Sequence, residues 1–422
     1  MLSLQKQSTG ISMTKAMQGF PPERESQVTF ANYNRQPFNR WGFQNMDSVV
    51  RTAMIPRGGE LPKIEEDLNP SLVKQKFVDA NGESFLLDDL LSRHDADAFL
   101  VMRDSKIIYE NYLNGFTPHK RHIWYSMTKS LVSIAFGILK EEFEIDLNAS
   151  PAKYIRELSG SGFERTTIQD VLNHSSAIDF KENYVDFSSD FLQHYAPALG
   201  MAYIPGAQDV QPDNSDIFGV YDFLVKFVNE EKGETPGVTF EYNSANADVI
   251  GWLISRISNM PLQDFIAKHI WMKLGTYHDA AIIVDRAGMP VATGGMSTTL
   301  RDAALFGELI LNKGKCNGET IVPEAWIDEV LELDQKDALR FSNNQLYKNE
   351  FWKYYKNMWW ILDADKGEFA AVGIHGQIIY INRSTNTVIA QFSSQAGAGQ
   401  VGSIEFRSKI LAIREIGNKV GI

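Results

Sequence analysis

Strand-like runs gather at the two ends of this sequence, and that placement limits the fold more than any other feature. Residues 98–102 form a short apolar run, Asp104-Ser105 a turn, and residues 107–109 a second run, which predicts a hairpin. Far downstream, residues 359–362, 369–374, 378–381 and 388–392 are four more runs, separated by Asp/Gly or Asn/Ser/Thr turns. Strands this far apart fit most economically into one mixed or antiparallel sheet built from both ends of the chain, with helices packed on it. The expected class is therefore α+β. Three regions follow: an irregular N-terminal arm over 1–84, a discontinuous α/β domain over 85–147 and 284–422, and a helical domain over 148–283. A cleft between the two lobes is the expected ligand site.

The intervening stretch has helical signals. Residues 126–142 place Met127, Leu131, Ala135 and Leu139 near helical spacing, with Val132 and Phe136 beside them, which predicts a buried helix. Further helices are expected over 167–172, 217–229, 244–258, 262–274, 299–312 and 404–416. Thr299 and Asp302 stand in capping-box spacing. The arm carries Pro21-Pro22, Pro37, Pro56, Pro62 and Pro70 and an aromatic group at Tyr33, Phe38, Trp41 and Phe43. Those aromatics are expected to pack onto the body; the alternative is a lid or a contact between two copies in a homodimer.

Composition removes several function classes. Lys+Arg number 41 against 53 Asp+Glu, a formal charge of −12, so nothing draws the chain in bulk to nucleic acid or anionic lipid. A single cysteine, Cys316, excludes an internal disulfide and a cysteine-cluster metal site. No stretch has the length of apolar sequence that a membrane span needs. Residues 1–17 have no unbroken apolar core of an export signal, and the expected location is cytoplasmic. His119-Lys-Arg-His122 has a metal-like spacing, but its neighbouring cations repel a metal. No cofactor and no metal is expected.

Chemistry points to a serine. In Ser-x-x-Lys on a helix, residues i and i+3 share a face, so the amine stands over the hydroxyl. Burial and the helix N-terminus both lower the lysine's proton affinity, and the neutral amine can then take the serine proton. Unpaired N–H groups at that helix end can hold an oxyanion. Five serines have lysine three residues on: Ser3, Ser12, Ser71, Ser126 and Ser150. Only Ser126 opens a long apolar helix that can fix the pair rigidly. Tyr242 and Ser244 stand just before another helix, and a tyrosine beside an ammonium is expected to have a lowered pKa and to shuttle protons. Gly373-Ile-His-Gly-Gln377 interrupts the late strands, where glycines admit close approach of backbone or ligand.

Ser126-Met-Thr-Lys129, Tyr242-Asn-Ser244 and Ile374-His-Gly376, in this order, resemble the three motifs of the serine β-lactamase and penicillin-binding-protein superfamily. The pattern is most similar to its class C-related branch and, within that, to 6-aminohexanoate-dimer hydrolase-like proteins. Residues 167–175, 242–274, 293–302, 359–360 and 373–377 extend the resemblance over about 85–416. It implies a β-lactamase-like/transpeptidase fold, an antiparallel sheet flanked by helices with a mostly helical insertion. It also implies a serine hydrolase acting on small esters or amides. Ser126 would be acylated, Lys129 and Tyr242 would relay the proton, and the N–H groups of Ser126 and Ile374 would form the oxyanion hole. Ser244, His375, Gly376, Tyr184 and Trp360 would support the site or bind substrate.

The departures narrow the substrate. Ile-His-Gly replaces Lys-Thr-Gly, losing the ammonium that greets a β-lactam or peptide carboxylate. That weighs against the alternatives of β-lactam binding or a D-Ala-D-Ala peptidase-like activity. A non-catalytic binding homologue is the other alternative. The acidic residue expected in the substrate loop is not evident near His194-Tyr195, which weighs against the nylon-oligomer amide itself.

Overall fold

A computed structural model describes residues 15–78, 82–184, 186, 188–201, 217–347, 351–397 and 404–420. Both ends of the chain do meet in one sheet. Its strands are β1 (Glu65–Glu66), β2 (Ala96–Arg103), β3 (Lys106–Tyr112), β4 (Tyr354–Lys356), β5 (Trp359–Asp363), β6 (Glu368–Gly373), β7 (Gln377–Asn382) and β8 (Thr387–Ser393). They lie in the order β4-β5-β6-β7-β8-β2-β3-β1. All neighbours are antiparallel except β1, which runs parallel to β3. The seam is β8 on β2, with Val388 opposite Met102 and Ala390 opposite Leu100.

The central strands are buried on both faces, so they read as apolar runs and not as alternation. Helix α3 (Leu300–Leu311) covers one face, where Gly307 lets it settle on Ile379 and Val388. Helix α4 (Ile404–Lys419) covers the other, where Gly417 approaches Tyr380. Thr299 caps α3, accepting from the Asp302 N–H as its spacing predicted. Helix α1 (Met127–Phe143) is surrounded by protein over its first three turns. Its internal hydroxyls find partners: Ser130 donates to Met358 O at 2.7 Å, and Thr128 Oγ1 accepts from Met296 N at 3.1 Å. Helix α2 (Ala245–Ser258) packs against α1.

The arm has more order than its prolines suggest. Thr52–Ile55 pairs with Ala280–Ile283 in a second, four-stranded sheet completed by Met296–Thr298 and His122–Ile123. This sheet crosses the boundary expected at 283/284. Its strands are two to four residues long, too short for periodicity to reveal them. Tyr33 and Phe43 are fully buried, so the aromatics of the arm do pack onto the body. The helix expected over 217–229 is shorter, Val220–Lys226. It starts at Gly219, whose φ of 92° suits glycine and where a Cβ would meet the Asp285 carboxylate at 2.6 Å. Among the described residues no helix is long and apolar enough to cross a membrane.

One buried group is costly. Lys409 of α4 is fully enclosed and its Nζ has no hydrogen-bond partner among the described residues. Burial pushes its amine down to about 7 from 10.5. Between those values the unfolded chain binds the extra proton, so Lys409 weakens the fold most at and below pH 7, and the penalty fades as pH rises toward 10.5. Lys409→Met should therefore stabilise the protein by about 2–4 kcal/mol at neutral pH, a gain that shrinks in alkali. Denaturant melts across pH measure it.

Candidate active site

The turn before α1 sets the geometry of Ser126. Tyr125 holds φ at 47°, in the left-handed region that a bulky side chain rarely adopts, and its ring is buried against Phe43 and His375. Ser126 then stands at the N-cap of α1, but its hydroxyl makes no capping bond. It is joined instead to Lys129 Nζ at 2.9 Å. The amine also donates to Thr293 O at 2.8 Å. Ser126 is half-buried and Lys129 is 1% exposed, so the hydroxyl is reachable while the amine is not. Burial brings the Lys129 amine down to about 8, against the opposing pull of Glu182 and Asp248.

Tyr242 completes the group. Lys129 Nζ lies 5.1 Å from the centre of its ring. The lowered pKa expected for this tyrosine is not found. Burial and the Glu182 carboxylate hold the phenol well above its ordinary value, and the Ser126 hydroxyl offsets only part of that. The ring is enclosed by Trp360, stacked at 5.5 Å, by His174 at 5.0 Å and by Tyr355 at 5.9 Å. Desolvation by these rings outweighs the nearby amine. Trp360 of β5 thus forms the wall behind Tyr242, continued by Phe240 and Trp352.

The end of β6 comes to the same place. Gly373 lies so close to the strand leading into Ser126 that a Cβ would stand 2.2 Å from Trp124 O. Ile374 follows directly in the sequence. His375 adopts φ 62° and faces away from the cleft: its Nδ1 bonds to Gln395 O at 2.7 Å and its ring packs on Phe43. Burial lowers it to about 4, so it is neutral. Gly376, at φ 100°, fits against Ser393, where a Cβ would come within 2.7 Å.

Ser244 opens α2 and is buried; its backbone N–H donates to Glu182 Oε1. Tyr184 donates to the other oxygen of Glu182 at 2.9 Å and packs on Phe191. Glu182 therefore ties the segment carrying Tyr184 to the start of α2. Sequence reasoning passed over Glu182, because nothing in its local pattern signals a partner 62 residues away. It also missed Asp248 of α2. This acid is 1% exposed, accepts from Tyr195 OH and from Thr293 N at 3.1 Å, and is pushed up to about 7 by burial.

The remaining metal-like motif divides. His122 is buried against Asp97 at 3.2 Å, whereas His119 meets His278 at 3.1 Å. Among the described residues no group of three or more His, Cys, Asp or Glu can hold a metal.

Comparison with known proteins finds relatives over most of the chain. The beta-lactamase family model matches residues 87–412. A 6-aminohexanoate-dimer hydrolase of Paenarthrobacter ureafaciens is 29% identical over 376 residues, covering 89% of this chain and 90% of that protein. A solved structure from Bacillus anthracis, named for 6-aminohexanoate-dimer hydrolase, superposes with a TM-score of 0.80 at 24% identity. It covers 95% of this chain and 100% of its own. EstCE1, a hydrolase with promiscuous acyltransferase activity, superposes at 0.57 with 14% identity over 77% of this chain and 96% of its own. With the family model spanning most of the sequence and the fold shared throughout, the chain belongs to the beta-lactamase family.

Proposed function

We propose that this protein is a serine hydrolase that cleaves small esters or amides through an acyl-enzyme on Ser126. The observation that carries the reading is the buried Lys129 amine 2.9 Å from a reachable Ser126 hydroxyl that caps nothing. A neutral amine at that distance is within reach of the proton it must take. Ser126 Oγ bonds to the substrate carbonyl carbon, and its proton passes to Lys129. The oxyanion is received by the N–H groups of Ser126 and Ile374. Tyr242, still a phenol, passes a proton to the leaving group and recovers one from Lys129. The bond to the leaving group breaks, and water releases the acyl group by the reverse route.

The aromatic wall of Tyr242, Trp360 and Tyr355 favours an apolar or extended group beside the scissile bond. The relative from Paenarthrobacter is named for hydrolysis of a 6-aminohexanoate dimer, which supports an amide or ester substrate. The third motif lacks the ammonium that would pair a β-lactam carboxylate, so β-lactams rank behind.

Mass spectrometry after treatment with a fluorophosphonate tests the reading. One adduct on Ser126 is expected, with turnover in a panel of short-chain esters and amides and none of nitrocefin. An intact protein, or an adduct elsewhere, would sink it.

A further inference from the structure

Among the described residues, Asp248 is the buried carboxylate that touches the same peptide as Lys129. Thr293 presents its C=O to the Lys129 amine at 2.8 Å and its N–H to Asp248 Oδ1 at 3.1 Å. The other carboxylate oxygen accepts from Tyr195, which is fully buried in the segment that follows Tyr184. Lys129 and Asp248 also attract one another directly through the protein interior. Resting on the acyl-enzyme reading, we propose that Asp248 is a positioning residue for the Ser126–Lys129 pair. Its carboxylate holds the Thr293 peptide that receives the lysine, and it supplies the buried counter-charge for the ammonium formed when Ser126 gives up its proton.

Other groups face this pair. Glu182 acts on Lys129 from the segment before Tyr184, and His174 faces the same amine, held neutral by burial and by that charge. Tyr195 and Tyr221 face Asp248 as un-ionised phenols, and Asp285 is a further carboxylate near it. Of these, Glu182 exerts the larger pull on Lys129 and is half-buried, open to solvent. Asp248 is enclosed, where a charge is screened less.

Asp248→Asn separates charge from shape. The amide oxygen can still accept from Thr293 N, and the amide nitrogen can donate to the Tyr195 oxygen. The readout is the rate of fluorophosphonate labelling at Ser126 across pH. In that step Ser126 Oγ bonds to phosphorus, the P–F bond breaks, fluoride leaves, and the seryl proton passes to Lys129. The rate rises with pH as Lys129 becomes neutral. Removing the anion lowers the lysine's proton affinity, so the rise should move down by roughly one pH unit while the plateau falls about tenfold. A plateau that falls with the rise unmoved would mark Asp248 as a mere structural anchor and overturn the proposal. Absence of any wild-type adduct on Ser126 would overturn the acyl-enzyme reading and this inference with it.

A second measurement needs no variant. The infrared difference spectrum of the wild-type protein between pH values below and above that rise should show a shifted carboxylate band, because Asp248 loses the ammonium it faces. An unchanged carboxyl region overturns the proposal even if Asp248→Asn fails to fold.

Discussion

Ser126→Ala is expected to lower ester turnover by roughly 10⁴–10⁶-fold and to abolish the fluorophosphonate adduct. The size of the loss follows from the loss of the nucleophile: no neighbouring hydroxyl shares its bond to Lys129. Thr128, the nearest aliphatic hydroxyl in sequence, is fully buried and already accepts from Met296 N. The fold should barely respond. A serine at an N-cap ordinarily contributes about 1 kcal/mol through its capping bond. Ser126 makes no such bond, so the substitution removes only its link with an amine that keeps Thr293 O as a partner. Equal denaturant midpoints for the two proteins, measured beside the kinetics, check that half of the expectation. Turnover that survives in Ser126→Ala would mean the chemistry sits elsewhere.

The sequence announced this serine through context more than through the motif itself. Five serines share the spacing, and the apolar face of residues 127–139 picks out one. The strands at the two chain ends were legible for the same kind of reason: each is an unbroken apolar run bounded by turn residues. What escaped depends on distance in space. Thr52–Ile55 becomes a strand only because Ala280–Ile283 is there to pair with it. Tyr354–Lys356 reads as part of an aromatic cluster until β5 aligns it. Asp248 looks like an ordinary polar position in a helix, and only the approach of Thr293 and Tyr195 buries it beside Lys129. The motif order suggested a lowered pKa for Tyr242, but the rings that reverse the shift come from β4, β5 and the segment carrying His174. Local pattern reports the residues that must be buried. It does not report which buried charges will face one another.

Lys129→Arg carries the second large effect and isolates proton transfer from charge. Arginine keeps a cation and comparable reach, but its guanidinium does not give up a proton at any working pH. Acylation should fall by roughly 10³-fold or more, because a positioned base contributes on the order of 10²–10⁴ and the cation also crowds the seryl proton. In the wild type the rate should climb with pH through about 8, where the buried amine becomes neutral. The nearest in range is Asp248, at about 7; His375 titrates near 4, His174 lies well below its ordinary range, and Tyr242 stays a phenol. The rise should therefore vanish in Lys129→Arg. Stability provides an independent check on sign. The folded amine has the lower proton affinity, so between about 8 and 10.5 the unfolded chain binds more protons and wild-type stability grows with pH through that window. Arginine is charged in both states and contributes no such growth. It also places a permanent cation where the lysine could shed its charge, so the variant should melt earlier and its deficit should widen as pH rises. A variant that keeps both the rate and the rise near pH 8 would remove Lys129 from the role of base, since arginine cannot be the group that titrates there.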